Sequence, residues 1–336
     1  MKRTLVIISL TLATATAVFG WGHEGHQAIA DAATSNLTAT ALMNVMAIIN
    51  DTTQIPEVTT VAGAATWPDD IKDAQPPFEG KFHATPAAVD FKNRFPDHKQ
   101  WHFVNYPLEG TAYTLNGVFS TTNDIVHRID LCLDVLEGNS TALKKKEALA
   151  YLLHLVGDLH QPLHVACGYF TINSKGKIAL QRSPHSPHPY LSDSGGNGLK
   201  WSAGKMNLHM FWDDDLVSAN GSKEPTLVSH LLANLATLPL PQNTGAIRDW
   251  PILWVDDSIA VADAVYFDPS GAKGTKGKDP YDPAQGTVTA TIGINQATYK
   301  QNHVTDAKHQ LTKGAHDLAD LLNAIQWPPP TAVSNP

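Results

Sequence analysis

The run from Ala142 to His164, ALKKKEALAYLLHLVGDLHQPLH, restricts the fold more than any other stretch of the chain. Its period is helical, yet its middle is apolar nearly all round. Such a helix must be covered by neighbours on every side, so it belongs at the centre of a helical domain. It nonetheless carries His154 and Asp158, four residues apart on one face, with about 5–6 Å between β-carbons. A buried carboxylate without compensation is costly, and a metal ion is one compensation. Pro162 then ends the helix, because it lacks an N–H and clashes with the preceding turn. The chain is re-aimed there, and His164 with it.

Helical periodicity recurs elsewhere. Residues 23–50 read as a helix pair broken at Ser35-Asn36. Residues 121–137 place Ile125, Ile129, Leu133 and Leu136 on one stripe behind a Thr or Asn cap. Further helices are expected at 207–219, 224–238, 251–267 and 298–325. Long polar loops are expected at 73–100, 168–206 and 268–291, the last two rich in Gly, Pro, Ser and Lys. Strand signals are few and short. The expectation is an all-α, mainly helical single domain over 21–326, with long loops, little strand and a loose Pro-rich tail at 327–336.

The first twenty residues, MKRTLVIISLTLATATAVFG, have a basic start, an apolar stretch and small residues before Trp21. They read as a secretory signal peptide cleaved after Gly20, which implies a secreted chain, extracellular or periplasmic. No later segment is long and apolar enough to span a bilayer, so no membrane is expected. Cleavage removes Lys2 and Arg3 and takes the formal net charge from −8 to −10. A chain this acidic lacks the overall basic footprint of a duplex binder. A phosphate polymer would have to be drawn in by local positive charge. Cys132 and Cys167 are the two cysteines; one bridge and two buried thiols are both open readings. Asn36, Asn50, Asn139 and Asn220 stand in N-glycosylation patterns, used only in a eukaryotic secretory route.

More groups of ligand type are spread along the chain. NLHMFWD holds His209 and Asp213, again four apart; WHF sets His102 between aromatics. TWPDD places Asp69 and Asp70 after Pro68, and WGHEGH places His26 five residues after Trp21. Nitrogen and oxygen donors without thiolates suit a catalytic zinc site better than a structural one. His23, His83, His98, His127, His160, His185, His188, His230, His303, His309 and His316 read as surface, core or supporting residues.

WGHEGH, WPDD, WHF, HLVGDLHQPLH, GGN and NLHMFWD, in this order from Trp21 onward, resemble the secreted zinc-dependent nucleases of the S1/P1 type. Those belong to a larger superfamily with zinc-dependent phospholipase C. The resemblance implies a helical bundle with three Zn2+ in a cleft. Carried over by motif, Asp69, His102, His154 and Asp158 hold one zinc; His164, His209 and Asp213 hold a second. His26, Asp158 and the amino and carbonyl groups of Trp21 hold the third. That last ligand needs a free α-amine, whose pKa is about 8, so signal cleavage would complete the site. Three Zn2+ with three aspartates leave the cleft at about +3.

The resemblance further implies hydrolysis of single-stranded DNA and RNA, and of nucleotides, to 5′-phosphate products, with 3′-nucleotidase activity as an associated reaction and a monomeric protein. Asp158 and Lys72 fall at catalytic positions, the latter touching phosphate. Phe103 matches an aromatic on which a base stacks, which tolerates any sequence but requires an unpaired base. Asn105 stands where fungal relatives carry a base-reading aspartate, and Asn197 closes the GGN turn. Insert 169–194 is longer than in fungal members, and Asp317 stands where a basic residue is expected. A phospholipase C and a non-enzymatic secreted zinc-binding protein are the competing readings.

Overall fold

A computed structural model describes residues 21–72, 85–110, 112–201, 206–279, 282 and 284–329. The expected signal peptide, most of the tail and His83 lie outside the described residues.

Helices α1 (Gly22–Thr34) and α2 (Ala39–Ile49) form the expected pair, with Thr38 capping α2 by accepting from the Ala41 N–H. They are followed by α3 (Val61–Lys72) and α4 (Pro86–Arg94). Neither is legible as a periodic stripe: α3 carries Pro68 in its interior, and α4 is nine residues long inside the expected loop 73–100. Asp124 caps α5 (Ile125–Leu136), in place of the Thr or Asn expected, by accepting from the His127 N–H. The central segment is α6 (Lys145–Leu159), ended as expected before Pro162, which opens the single turn α7 (Pro162–Val165). One irregular helix follows: α8 (Leu208–Met210), a π-helical turn over Phe211–Leu216, and α9 (Val217–Asn220). The chain then forms α10 (Glu224–Leu235), α11 (Trp250–Val265) and the long α12 (Gln296–Ala324).

Every residue of α6 from Lys146 to Leu159 is buried. Helices α1, α3, α5 and α12 surround it. On one side Tyr151 stacks on Phe91, with ring centroids 5.0 Å apart, and Trp67 and Trp101 meet the pair edge-on. Burying side chains of this size stabilises the fold by about 1.5–3 kcal/mol each. On the other side α12 contributes Asp317, whose Oδ2 lies 2.8 Å from His160 Nε2. An aspartate at this position is thus matched by a buried imidazole.

The domain is mainly helical with little strand, as expected, but most of the strands lie where loops were expected. Strand β1 (Tyr106–Pro107) pairs in parallel with β2 (Ala166–Cys167). The two stretches expected to be loops, 168–206 and 268–291, together form a six-stranded sheet. Its members are β3 (Tyr169–Ile172), β4 (Ile178–Gln181), β5 (Leu191–Ser192), β6 (Leu199–Trp201), β7 (Gly274–Lys278) and β8 (Gly286–Ile292). β8 is the hub: it pairs in parallel with β5 (Leu191↔Gly286) and β6 (Leu199↔Ala290), and antiparallel with β7 (Lys276↔Val288). β3 joins β4 in a hairpin and β5 on its other side. The free side of β4 is tied to the chain leading into β7, with Ile178 N–H donating to Ala272 O and Gly271 N–H to Ile178 O. The sheet therefore curls back towards itself. Its strands are two to seven residues long. β8 alternates, with Val288, Ala290 and Ile292 buried between exposed threonines, while the others are too short to show a pattern and pair across the sequence.

Among the described residues, no helix is long and apolar enough to cross a membrane. Cys132 and Cys167 are both buried and free, which decides between the two readings left open. Trp327, in the expected loose tail, is anchored: its Nε1 donates to Leu322 O at 3.2 Å.

Candidate metal centre

The buried face of α6 carries His154 and Asp158 to the middle of the molecule, and both are fully shielded from solvent. Around Asp158 the chain gathers groups from three further segments. His102, from the short 3-10 turn His98–His102, brings Nδ1 to 2.9 Å from His154 Nε2 and 3.0 Å from Asp158 Oδ2. Asp69 of α3 lies 3.5 Å from His154 Nε2 and 3.8 Å from His102 Nδ1. His26 of α1 stacks on His154 at 3.9 Å and sets Nε2 3.2 Å from Asp158 Oδ1. Asp158 thus faces one group of ligands with each oxygen. Gly157 makes the approach of His26 possible, because a Cβ there would sit 2.9 Å from His26 Nδ1.

A second group stands beside the first. His164 Nε2 and His209 Nε2 are 3.0 Å apart, and Asp213 Oδ2 is 3.5 Å from the latter. His164 Nδ1 faces His102 O and His209 Nδ1 faces Gly195 O, each at 2.7 Å. A carbonyl only accepts, so each Nδ1 carries the proton and each Nε2 presents a lone pair. Two lone pairs aimed at one another across 3.0 Å repel. Tetrahedral zinc at about 2.0–2.1 Å from each would hold such nitrogens roughly 3.3 Å apart. His154 is fixed in the same way, by Nδ1 on Ala65 O at 2.7 Å.

The orphaned atoms support a cation. Asp69 Oδ2, Asp158 Oδ1, Asp213 Oδ2 and both His26 nitrogens are buried and make no hydrogen bond. Burial pushes the Asp213 carboxyl well above the usual range, with Asp214 and Asp158 adding to it. Burial also drives His102 and His209 well below the ordinary imidazole value, helped by Lys72 and His164 respectively. His164 is lowered by burial, and His26 is lowered to about 4 by burial and by His154. These rings are therefore neutral at neutral pH, the form that ligates. His154 differs, since Asp158 and Asp69 outweigh its burial and raise it. His26/Asp69/His154, His102/His154/Asp158 and His164/His209/Asp213 each bring their donor atoms within 4.8 Å, close enough to share an ion. The donors are imidazole and carboxylate only, which fits zinc.

Trp21 is fully buried at the start of α1 and packs on Trp212, centroids 6.2 Å apart. Lys72, at the end of α3, pairs with Asp69 at 2.7 Å and is 8% exposed. Phe103 and Asn105 line a cavity of about 580 Å3 with Phe119, Tyr169 and residues 186–188. Asn197 is placed differently: its Nδ2 donates to Ser194 O and its Oδ1 accepts from Asn207 Nδ2. It serves the loop, and Asn207 in turn caps the helix of His209.

Several residues of the site are not evident from sequence. Gln161 donates to Asp213 Oδ1 at 2.8 Å and accepts from Leu163 N–H, so the Gln of HQPLH braces a ligand. Asp193 accepts from Gly168 N–H and pairs with Tyr266, anchoring the turn whose Gly195 carbonyl orients His209. Gly195 has φ +61 and a Cβ there would lie 2.3 Å from Leu163 O, so glycine is required. His188, expected among the surface, core or supporting residues, lines the cavity, and His23 pairs with Asp70 at 3.0 Å. Their only sequence signal was proximity to the GGN turn or the WGHEGH start.

Fold and site together define a helical protein with buried clusters of histidines and aspartates that could hold metal ions, beside an aromatic-lined cavity. The model of the S1/P1 Nuclease family matches residues 21–326, and the chain belongs to that family. It is 25% identical to Nuclease S1 of Aspergillus oryzae over 269 residues, covering 79% of this chain and 77% of the relative. It is 23% identical to Endonuclease 4 of Arabidopsis thaliana over 316 residues, covering 91% and 89%. Endonuclease 3 of the same plant is 24% identical over 222 residues, 64% of this chain, and the match spans 62% of that relative's length.

Proposed function

We propose that the protein is a zinc-dependent endonuclease that hydrolyses single-stranded DNA and RNA to 5′-phosphate ends, with 3′-nucleotidase activity on the same site. The observation that carries this reading is the pair of ligand groups meeting on the two oxygens of Asp158. Bound zinc would supply Lewis acidity at the phosphoryl group and bring the pKa of water towards neutrality. His102, His154, Asp69 and Asp158 would hold one ion, His164, His209 and Asp213 another, and His26, Asp158 and a free Trp21 terminus the third.

The chain's own groups account for the rest. Lys72 is held against Asp69 at the rim, where its ammonium neutralises a phosphate oxygen as negative charge builds. Phe103 offers a face for an unpaired base, worth about 1–3 kcal/mol. Asn105 both donates and accepts, so it reads a base edge differently from an aspartate. In the reaction, water oxygen bonds to phosphorus, the P–O3′ bond breaks, and the leaving oxygen takes a proton to become the 3′-hydroxyl. We read residues 1–20 as an export signal whose removal frees the Trp21 amine.

The test is turnover of a single-stranded oligonucleotide, a duplex and a phosphatidylcholine analogue by protein beginning at Trp21, beside His154→Ala. Cleavage of the single strand alone, lost by about 10^3 or more in the variant, is expected from removal of a catalytic metal ligand. Turnover of the lipid analogue, or undiminished cleavage by the variant, would overturn the reading.

A further inference from the structure

We infer that the curled sheet carries a second contact surface for nucleic acid, a lysine ridge outside the cleft that holds the phosphate backbone of a single strand entering the cavity. The inference rests on the nuclease reading for its choice of partner and deepens it.

The ridge is a product of strand pairing. Lys175 and Lys177 lie in the β3–β4 hairpin, while Lys273 leads into β7, about a hundred residues away. Lys177 and Lys273 are direct cross-strand partners in an antiparallel bridge. They share the sheet face of Tyr169 and Thr171, whereas Lys276 and Lys278 alternate with Lys273 onto the face of Ile178 and Val288 and are not part of the ridge. Lys175, Lys177 and Lys273 are all exposed. Among the described residues none of the three makes an ion pair with a carboxylate. Arg182, just past β4, is instead paired with Glu109 and Asp268.

This arrangement is unfavourable unless something anionic covers it. Directly opposed β-carbons lie about 4.5–5.5 Å apart, and like charges in that position destabilise a sheet. Ile178, the next residue after Lys177, is buried, so Lys177 points outward by strand alternation. Two ammonium groups are thus held side by side, facing solvent, on a chain whose formal net charge is −8. A row of phosphates matches them; a neutral or cationic ligand does not.

The ridge also leads to the site. Tyr169, at the inner end of β3, lines the cavity, and Asp279 and Gln285, beyond β7, line its other wall. From Tyr169 to Ile172 the strand runs outward by roughly 10 Å before the lysine-bearing turn. A dinucleotide filling the cavity would not reach the ridge, but a longer strand would. The carboxylates of Asp124, Asp279 and Asp282 line the cavity itself, so phosphates are repelled there and attracted on the ridge outside. This polarity places a base in the cavity and the backbone along the lysines.

The experiment replaces Lys175, Lys177 and Lys273 with glutamine and, as a charge-preserving control, with arginine. Binding of a phosphorothioate single strand of twenty or so nucleotides is read by fluorescence anisotropy across salt concentrations, and dinucleotide hydrolysis is read in parallel. Each phosphate neutralised on a single strand contributes about 0.7 to the salt slope. The glutamine variant is expected to lose up to about 2 from that slope and to bind about tenfold weaker at 0.1 M salt. Arginine should keep both, and kcat/KM on the dinucleotide should not move in either variant. An unchanged slope and Kd in the glutamine variant would overturn the ridge, as would an equal fall in dinucleotide hydrolysis. Failure of the nuclease reading would look different: a parent protein that binds the strand and leaves both substrates intact.

Discussion

At the scale of single residues, the centre depends on groups that touch no ion. Gly157 leaves room for His26, and Gln161 holds Asp213 by one oxygen. Gly157→Ala should displace His26 and weaken one metal by about 10–100-fold, the size seen when the support of a ligand is lost; zinc titration with a competing chelator checks it. Gln161→Ala should weaken the ion between His164, His209 and Asp213 by a similar factor and leave the others in place. Asn105→Asp should alter the preference among dinucleotides while metal content stays constant, read from kcat/KM on a panel of dinucleotides. The pairs His154/Asp158 and His209/Asp213 are legible in sequence because spacing on a helix fixes which face they share, whereas His26, Asp69 and His102 are placed with them only by the family resemblance. Their supports are not: Gln161 and Asp193 act through contacts 52 and 25 residues away, and nothing local marks them.

At the scale of elements, α6 is the axis of the account. Its all-round burial was readable from composition along the helix, and with it the mainly helical class. Pro68 hid α3, and the short α4 offers too few turns to show a stripe. The sheet was hidden for another reason: β8 alternates legibly over Val288, Ala290 and Ile292, but its partners are short and come from segments up to about a hundred residues away. Helix α12 is fastened to α6 by Asp317 and His160, and Asn243 Nδ2 adds a bond to Asp317 Oδ1 at 2.8 Å. Asp317→Lys removes the carboxylate bonded to His160 and Asn243 and puts a long cation in its buried place. It should cost about 3–5 kcal/mol, as breaking a buried pair does, whereas Asp317→Asn should cost less; urea midpoints compare the two.

At the scale of the whole molecule, charge and metal are linked. His26 takes up its proton at about 4 when folded, against about 6.5 when unfolded. Between those values the unfolded chain binds more protons, so stability falls as pH drops from about 6.5 towards 4. His102, His164 and His209 are lowered as well and act in the same direction, while His154 and Asp213, which are raised, oppose it. Metal binding steepens the loss, because a protonated imidazole cannot ligate. Thermal unfolding at stepped pH should show Tm dropping through this window, and a chelator at neutral pH should lower Tm by itself.

The central claim is that these ligands hold a cluster of zinc ions, joined through Asp158, that cuts nucleic-acid backbones. The most direct test is elemental analysis of protein beginning at Trp21, paired with cleavage of a single strand, for the parent and for Asp158→Ala. The account predicts about three zinc ions in the parent, loss of more than one in the variant, and cleavage down by about 10^3 or more. A variant that keeps its zinc and still cuts the strand would contradict it.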